Sequence, residues 1–207
     1  MSPLEHAIAE NYALRRQYLA FLEDRFGDEL PKTPTPRDIV KLLSLDEVEW
    51  RISRRHARLL FDGQSLQWIE DGQVERRWPA VSGKHGFNGK VHQSLKDRGP
   101  IPEGSYVALQ SDFQKWEEAP AINRAACILN FISIKAGRWP GCTIAWGTRR
   151  VGLVPDPGTN VYGRNNFTIH GGWFPGSIGC IDLTNSMESF AKEFLLYAKD
   201  MELAVRY

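Results

Sequence analysis

Residues 58–83 read RLLFDGQSLQWIEDGQVERRWPAVSG, and this stretch sets the fold class. Runs rich in Leu, Phe, Trp, Ile and Val are separated by Asp62-Gly63 and Asp71-Gly72, dipeptides that readily supply the left-handed backbone of a hairpin turn. A β-meander is expected. Upstream the pattern is different. Leu4, Ile8, Tyr12, Leu19, Leu22 and Phe26 follow one helix face, Ser2 and Glu5 make a capping box, and Gly27 is placed to end the helix. After the stiff Leu30–Pro36 connection, Thr35 and Pro36 start a second helix through Leu43, and a third helical stretch is expected over Asp46–Arg55.

Downstream, Val81–Gly104 is rich in Gly, His and Lys and ends in GPIPEG, which demands loop geometry before a strand at Ser105–Gln110. Ala125–Lys135 and Thr143–Trp146 are read as further strands, Asp156-Pro157-Gly158 as a turn and Phe167–His170 as a short strand. An amphipathic helix over Ser186–Met201 carries Phe190, Phe194, Tyr197 and Met201 on one face, and LAVRY reads as a last strand. The expected layout is α+β: a helical N-terminal region, residues 1–56, then a β-rich domain, residues 57–207.

Composition narrows the function classes. The chain has 207 residues, 42% of them hydrophobic, and a formal charge of +1. Such a charge provides no general attraction to nucleic acid or anionic lipid. The longest apolar stretch, near Ala125–Ile134, is broken by Asn130 and Ser133, so no membrane insertion is expected. Glu5 and Glu10 interrupt the start of the chain, which does not read as a Sec signal. Three cysteines without a C-x-x-C pair fit neither a disulfide scaffold nor a zinc ribbon. Cys127 reads as core and Cys142 as a turn residue, and the two would pair only in an oxidising compartment.

The third cysteine lies in FTIHGGWFPGSIGCIDL, residues 167–183. His170 ends an apolar strand, Gly171 and Gly172 let the chain turn, and Ser177-Ile178-Gly179-Cys180 returns a thiol after a Pro-Gly bend. A free thiol has a pKa of about 8.5 and becomes a nucleophile when a neighbouring imidazole takes its proton. The backbone N–H groups of Gly179 and Cys180 can face a developing oxyanion. A metal site using His170 and Cys180 lacks ligand-pair spacing, and no cofactor is expected. His85 and His92 are read as solvent-facing.

His-Gly followed by Ser-x-Gly-Cys is similar to the signature of YkuD-type L,D-transpeptidases. The full run IHGGWFPGSIGCIDL resembles the branch of L,D-transpeptidase effectors delivered by bacterial type VI secretion. VSGKHG at Val81–Gly86, GPIPEGSY at Gly99–Tyr106 and PDPGTNVYGRNNF at Pro155–Phe167 also resemble that branch. The resemblance implies a β-sandwich-like catalytic domain and acyl transfer on peptidoglycan stem peptides. Cys180 would be the nucleophile, His170 the base, and the Gly171 carbonyl would orient the imidazole. Release or exchange of a terminal D-alanine is the implied outcome. Export without a Sec signal, action in the periplasm of target bacteria, a cognate immunity protein and a secretion-apparatus partner are implied as well. Residues 1–56 would then either dock on that apparatus or occlude the cleft.

Many YkuD-type enzymes have Arg two residues after the cysteine, where this chain has Asp182. Like the effector branch, it thereby offers either a partner for a substrate amine or a brace that accepts backbone N–H bonds. Ser177 is expected to support the loop. Arg164 is a candidate for binding a substrate carboxylate or for bracing a loop, and Gly172 and Trp173 are candidates for the acyl-donor groove, Trp173 alternatively anchoring its loop by burial. Two other readings remain: a cysteine peptidase or amidase on a different cell-wall bond, and a non-catalytic module that binds peptidoglycan or a partner.

Overall fold

The computed structural model describes residues 8–26, 32–42, 56–129, 139 and 142–207. The chain divides into two compact units, one of residues 1–56 with Lys192–Lys199, the other of Ala57–Ala191 with Asp200–Tyr207. In the first unit, helices α1 (Tyr12–Phe26) and α2 (Pro36–Leu42) are separated by the proline-rich connection. The expected start of α2 is borne out by a reciprocal cap. The Thr35 N–H and hydroxyl donate to Asp38 Oδ2 at 2.9 and 2.6 Å, and Thr35 Oγ1 accepts from the Asp38 N–H at 3.3 Å. Ile8, Tyr18, Leu22 and Ile39 are fully buried. Arg15 Nη2 donates to the Pro34 carbonyl at 3.1 Å, tying α1 to the connection. The expected Ser2 cap and the third helical stretch, Asp46–Arg55, lie outside the described residues.

The second unit is built on one mixed sheet of eight strands: β1 (Ala57–Phe61), β2 (Ser65–Glu70), β3 (Gln73–Pro79), β4 (Gly104–Lys115), β5 (Arg149–Pro155), β6 (Phe167–His170), β7 (Ile181–Asp182) and β8 (Met201–Val205). Their order is β3-β2-β1-β8-β4-β5-β6-β7. The meander forms as expected. At its first turn the Asp62 carboxylate accepts the N–H groups of Gln64 and Ser65, at 2.9 and 2.6 Å, and at its second Asp71 and Gly72 take φ of 49° and 82°. The last strand, β8, inserts between β1 and β4, parallel to β1 and antiparallel to β4.

Alternation along the strands sorts the sheet into two faces. Leu59, Phe61, Leu66, Leu203, Val205, Tyr106, Ala108, Val151, Leu153, Phe167, Ile169 and Ile181 are all buried, and the ladder registers place them on one face. Helix α5 (Met187–Tyr197) contributes Met187 and Phe190 to the same core. Trp78 packs edge-on against Phe190 at 5.4 Å and Trp68 at 6.4 Å, and its Nε1–H donates to Ser189 Oγ at 3.0 Å. The α+β expectation holds, with the β-rich domain realised as this single mixed sheet. Among the described residues no helix is long and apolar enough to cross a membrane.

Two expected strands are helices. Ala121–Leu129 forms α3 and Cys142–Trp146 forms α4. Pro120 opens α3, its carbonyl accepting the N–H groups of Asn123 and Arg124 at 2.8 and 3.1 Å. Short apolar runs do not distinguish a strand from a buried helix by periodicity, and Pro at the entry was the discriminating signal. Residues 130–138 lie outside the described residues. Cys142, read as a turn residue, is the first residue of α4 and is disulfide-bonded, while Cys180 is free.

Trp78 joins the meander to α5 through both apolar area and a hydrogen bond. Trp78→Ala is expected to cost about 3–5 kcal/mol, read as a shift in the urea unfolding midpoint followed by circular dichroism.

Candidate active site

The other face of the sheet carries the candidate site residues. Registers between β4, β5, β6 and β7 set Gln114, Arg150, His170 and Asp182 in one row. The neighbouring row holds Gly152 and Thr168. Because Ile169 pairs in parallel with Ile181, one step back along both strands puts Cys180 beside Thr168. Thr168, His170, Cys180 and Asp182 therefore share a face, with the thiol and the imidazole as diagonal neighbours. The chain returns from β6 to β7 through the glycine-rich loop 171–180.

His170 is 3% exposed and its Nδ1 lies 2.5 Å from the Gly171 carbonyl oxygen. A carbonyl only accepts, so Nδ1 carries the proton and Nε2 is the bare, basic nitrogen. Burial pushes the imidazole pKa from 6.5 down to about 4; the Gly171 carbonyl opposes this, and the Arg150 charge adds to it. His170 is thus neutral at neutral pH and able to take a proton. The Trp146 ring lies 4.8 Å from the imidazole, and Arg150 sits over the rings of Trp139 and Trp146, at 4.5 and 5.1 Å. Cys180 is buried, and its thiol donates to the Asn166 carbonyl at 3.7 Å. Burial pushes the thiol pKa up, against the pull of neighbouring Thr168 and the charges of Arg150 and Arg164. At rest the pair is a neutral thiol and a neutral imidazole.

The remaining expected residues build the walls. Asp182 is 1% exposed and accepts the Gly176 N–H at 3.0 Å and the Thr184 N–H at 2.8 Å, which makes it the brace of the loop. Burial raises its carboxyl pKa from 3.8 to about 6, against those two bonds. The Ser177 hydroxyl donates to the Cys180 carbonyl and accepts the Gly83 N–H at 3.3 Å, as expected of a loop support. Arg164 is also a brace. Its guanidinium donates to the carbonyls of Gln93, Pro100 and Gly99, at 2.7, 2.6 and 3.0 Å, and so binds the GPIPEG loop rather than presenting a free charge to a carboxylate. Gly179 takes φ of 104°, and a Cβ there would stand 1.9 Å from Arg164 Nη2, so this glycine is what lets the arginine through.

Gly171 packs against the Thr184 carbonyl and Met187, and Gly172 against the carbonyls of Ile144 and Ala145 in α4. Gly172 is buried there. The Trp173 side chain is 67% exposed; its loop is held by its N–H donating to the Ile144 carbonyl at 2.9 Å, not by burial of the indole. His85 is exposed as expected, whereas His92 is half-buried against Phe87, 5.4 Å away. Arg150, Trp146, Trp139 and Thr168 were not singled out by sequence reasoning. Alternation in the run RRVGLV, which turns Arg149 outward and Arg150 inward, was the available signal for the first; the others depend on tertiary placement.

No family model matches the chain, and no curated protein matches it. Among solved structures it is similar to that of Bdellovibrio bacteriovorus Bd1075, with 16% identity, a TM-score of 0.43 and coverage of 72% of this chain and 46% of that one. It is also similar to an L,D-transpeptidase from Mycobacterium smegmatis, with 16% identity, a TM-score of 0.38 and coverage of 74% and 59%. A third is an L,D-transpeptidase from Xylanimonas cellulosilytica, with 15% identity, a TM-score of 0.42 and coverage of 72% and 59%. The chain thus spans about half to three fifths of the length of these structures.

His170 and Asp182 act on acid stability in opposite directions. Folded His170 holds its proton more weakly than when unfolded, so its contribution is complete above pH 6.5 and is lost as the pH falls toward about 4. Folded Asp182 holds its proton more tightly, so the cost of burying its charge is relieved as the pH falls from about 6 toward 3.8. Asp182→Asn removes that relief. Its melting temperature should fall more steeply than the wild type's on acidification through this window; parallel slopes would refute the assignment.

Proposed function

We propose that this chain is a cysteine acyltransferase of the L,D-transpeptidase type, acting on the tetrapeptide stems of peptidoglycan. One observation carries the reading: the free thiol of Cys180 shares a sheet face with a neutral imidazole whose Nδ1–H is held by the Gly171 carbonyl, leaving Nε2 to act as base. In this scheme Nε2 of His170 takes the thiol proton. The sulfur attacks the carbonyl of the third stem residue, on its L-centre side. The N–H groups of Gly179 and Cys180 receive the oxyanion, the imidazolium returns its proton to the departing D-alanine amine, and a thioester remains on Cys180. Water then gives L,D-carboxypeptidase action, and a free D-amino acid gives exchange. The chemistry needs no metal or cofactor.

The sequence resemblance supports the finer reading, an antibacterial effector that acts in the periplasm of a target cell and is neutralised in its producer by an immunity protein. The disulfide at Cys142 accords with an oxidising compartment. Trp173, Phe174 and Ile178, exposed on the loop that carries Cys180, are available to a bound stem or glycan.

Disaccharide tetrapeptide incubated with the 207-residue chain, with and without D-methionine, and analysed by mass spectrometry tests the proposal. Tripeptide or methionine-exchanged tetrapeptide is expected. Cys180→Ala should abolish both products, and His170→Ala should slow them by about 10²–10⁴-fold. An active Cys180→Ala protein would refute the mechanism; sacculi bound but unchanged by the wild type would favour a non-catalytic module.

A further inference from the structure

The hydroxyl of Thr168 is buried and has no hydrogen-bond partner. Such a group is a net cost to folding, because its bonds to water are lost and nothing replaces them. Strand formation does not require it, since valine has the same shape and serves β6 equally well. Retaining an unpaired polar atom at a position that would accept an apolar isostere is the mark of a site kept for chemistry rather than stability.

The surroundings of Thr168 indicate which chemistry. The register places it next to Cys180, on the same face and one row from His170. At rest the thiol donates to the Asn166 carbonyl. A carbonyl can only accept, so it holds the neutral thiol and offers nothing to a thiolate; a sulfur that has lost its proton needs a donor. The other charged groups near the sulfur are already engaged. Arg164 is bonded to the Gln93, Gly99 and Pro100 carbonyls, and Arg150 to Gln114 Oε1. Asp182 holds the Gly176 and Thr184 N–H groups. Asp112, whose carboxylate lies over Gly152 across β5 from Thr168, only accepts hydrogen bonds and takes one from Gln114. His170 is the base. The Thr168 hydroxyl is the uncommitted donor at hand.

We propose that Thr168 is a further catalytic residue, whose hydroxyl donates a hydrogen bond to the Cys180 sulfur once His170 has removed the thiol proton. The proposal rests on the reading of Cys180 as the nucleophile. The proton passes from Sγ to Nε2, Thr168 keeps its own throughout, and the electron pair left on sulfur forms the C–S bond of the thioester. Once the sulfur is acylated, the hydroxyl is released. In keeping with this placement, the nearby side chain and backbone of Thr168 pull the thiol pKa down against the burial that raises it.

The test is iodoacetamide alkylation of Cys180 across a range of pH, quantified on the Cys180 peptide by mass spectrometry, in the wild-type 207-residue chain, Thr168→Val and Thr168→Ser. Loss of the donor should move the alkylation midpoint of Thr168→Val up by about one pH unit, so that alkylation below the midpoint is about ten-fold slower. Thr168→Ser should stay within about two-fold of wild type. The melting temperature of Thr168→Val should equal or exceed that of wild type, since an orphaned hydroxyl has been removed. A wild-type alkylation profile in Thr168→Val, or a profile in Thr168→Ser shifted as far as that of Thr168→Val, overturns the proposal. If Thr168→Val lacks the native near-ultraviolet dichroism, Thr168→Ala takes its place with the same expected shift. Assaying the same samples on tetrapeptide muropeptides separates the two readings. A shifted profile with no turnover even in wild type keeps the donor and removes the acyl-transfer reading, whereas an unshifted profile with wild-type turnover removes the donor alone.

Discussion

The pairing of β6 with β7 is the constraint on which the site depends. This parallel ladder has only two residue pairs, Ile169 with Ile181 and His170 with Asp182. So short a ladder has few backbone bonds of its own, and the added support comes from the side. Val81 and Asp182 exchange both backbone bonds, at 3.0 and 2.8 Å, and the Asp182 carboxylate takes one N–H from the loop before it and one from the turn after it. A buried charge is tolerable only when hydrogen-bonded in this way. The thiol and the imidazole share a sheet face because this small ladder keeps its register.

Around it the protein builds a neutral dyad rather than an ion pair. Burial disfavours both the thiolate and the imidazolium, and the Arg150 charge disfavours the imidazolium further while favouring the thiolate. The rings of Trp139 and Trp146 face that guanidinium and Gln114 engages it, so its field acts across the row without a direct bond to the imidazole. Arg164 plays the complementary part at the loop. By binding three carbonyls it locks the GPIPEG segment beside the Cys180 loop, which explains why these stretches, distant in sequence, belong to one site.

Much of this was legible from local chemistry. Asp-Gly turns announce the meander, an apolar strand ending in His-Gly-Gly announces a sharp return, and Gly-Cys after Pro-Gly announces a presented thiol. What local chemistry could not decide was whether short apolar runs such as Thr143–Trp146 are strand or helix, because four or five residues do not establish a period. Nor could it choose between two roles for Arg164 and Asp182. A guanidinium can bind a substrate carboxylate or several backbone carbonyls, and only the positions of Gly99 and Pro100 settle which. Thr168 and Trp146 looked like ordinary strand and core residues until their neighbours were known.

The sequence by itself determined the candidate thiol and imidazole, the β-rich class of the domain and the turns that make both possible, since these follow from side-chain chemistry and from backbone freedom over a few residues. Tertiary structure decided protonation states, the roles of the buried charges and the company kept by the thiol. Those properties depend on desolvation and on groups brought together across the sheet from Gln114 to Asp182, and no local stretch of sequence contains them.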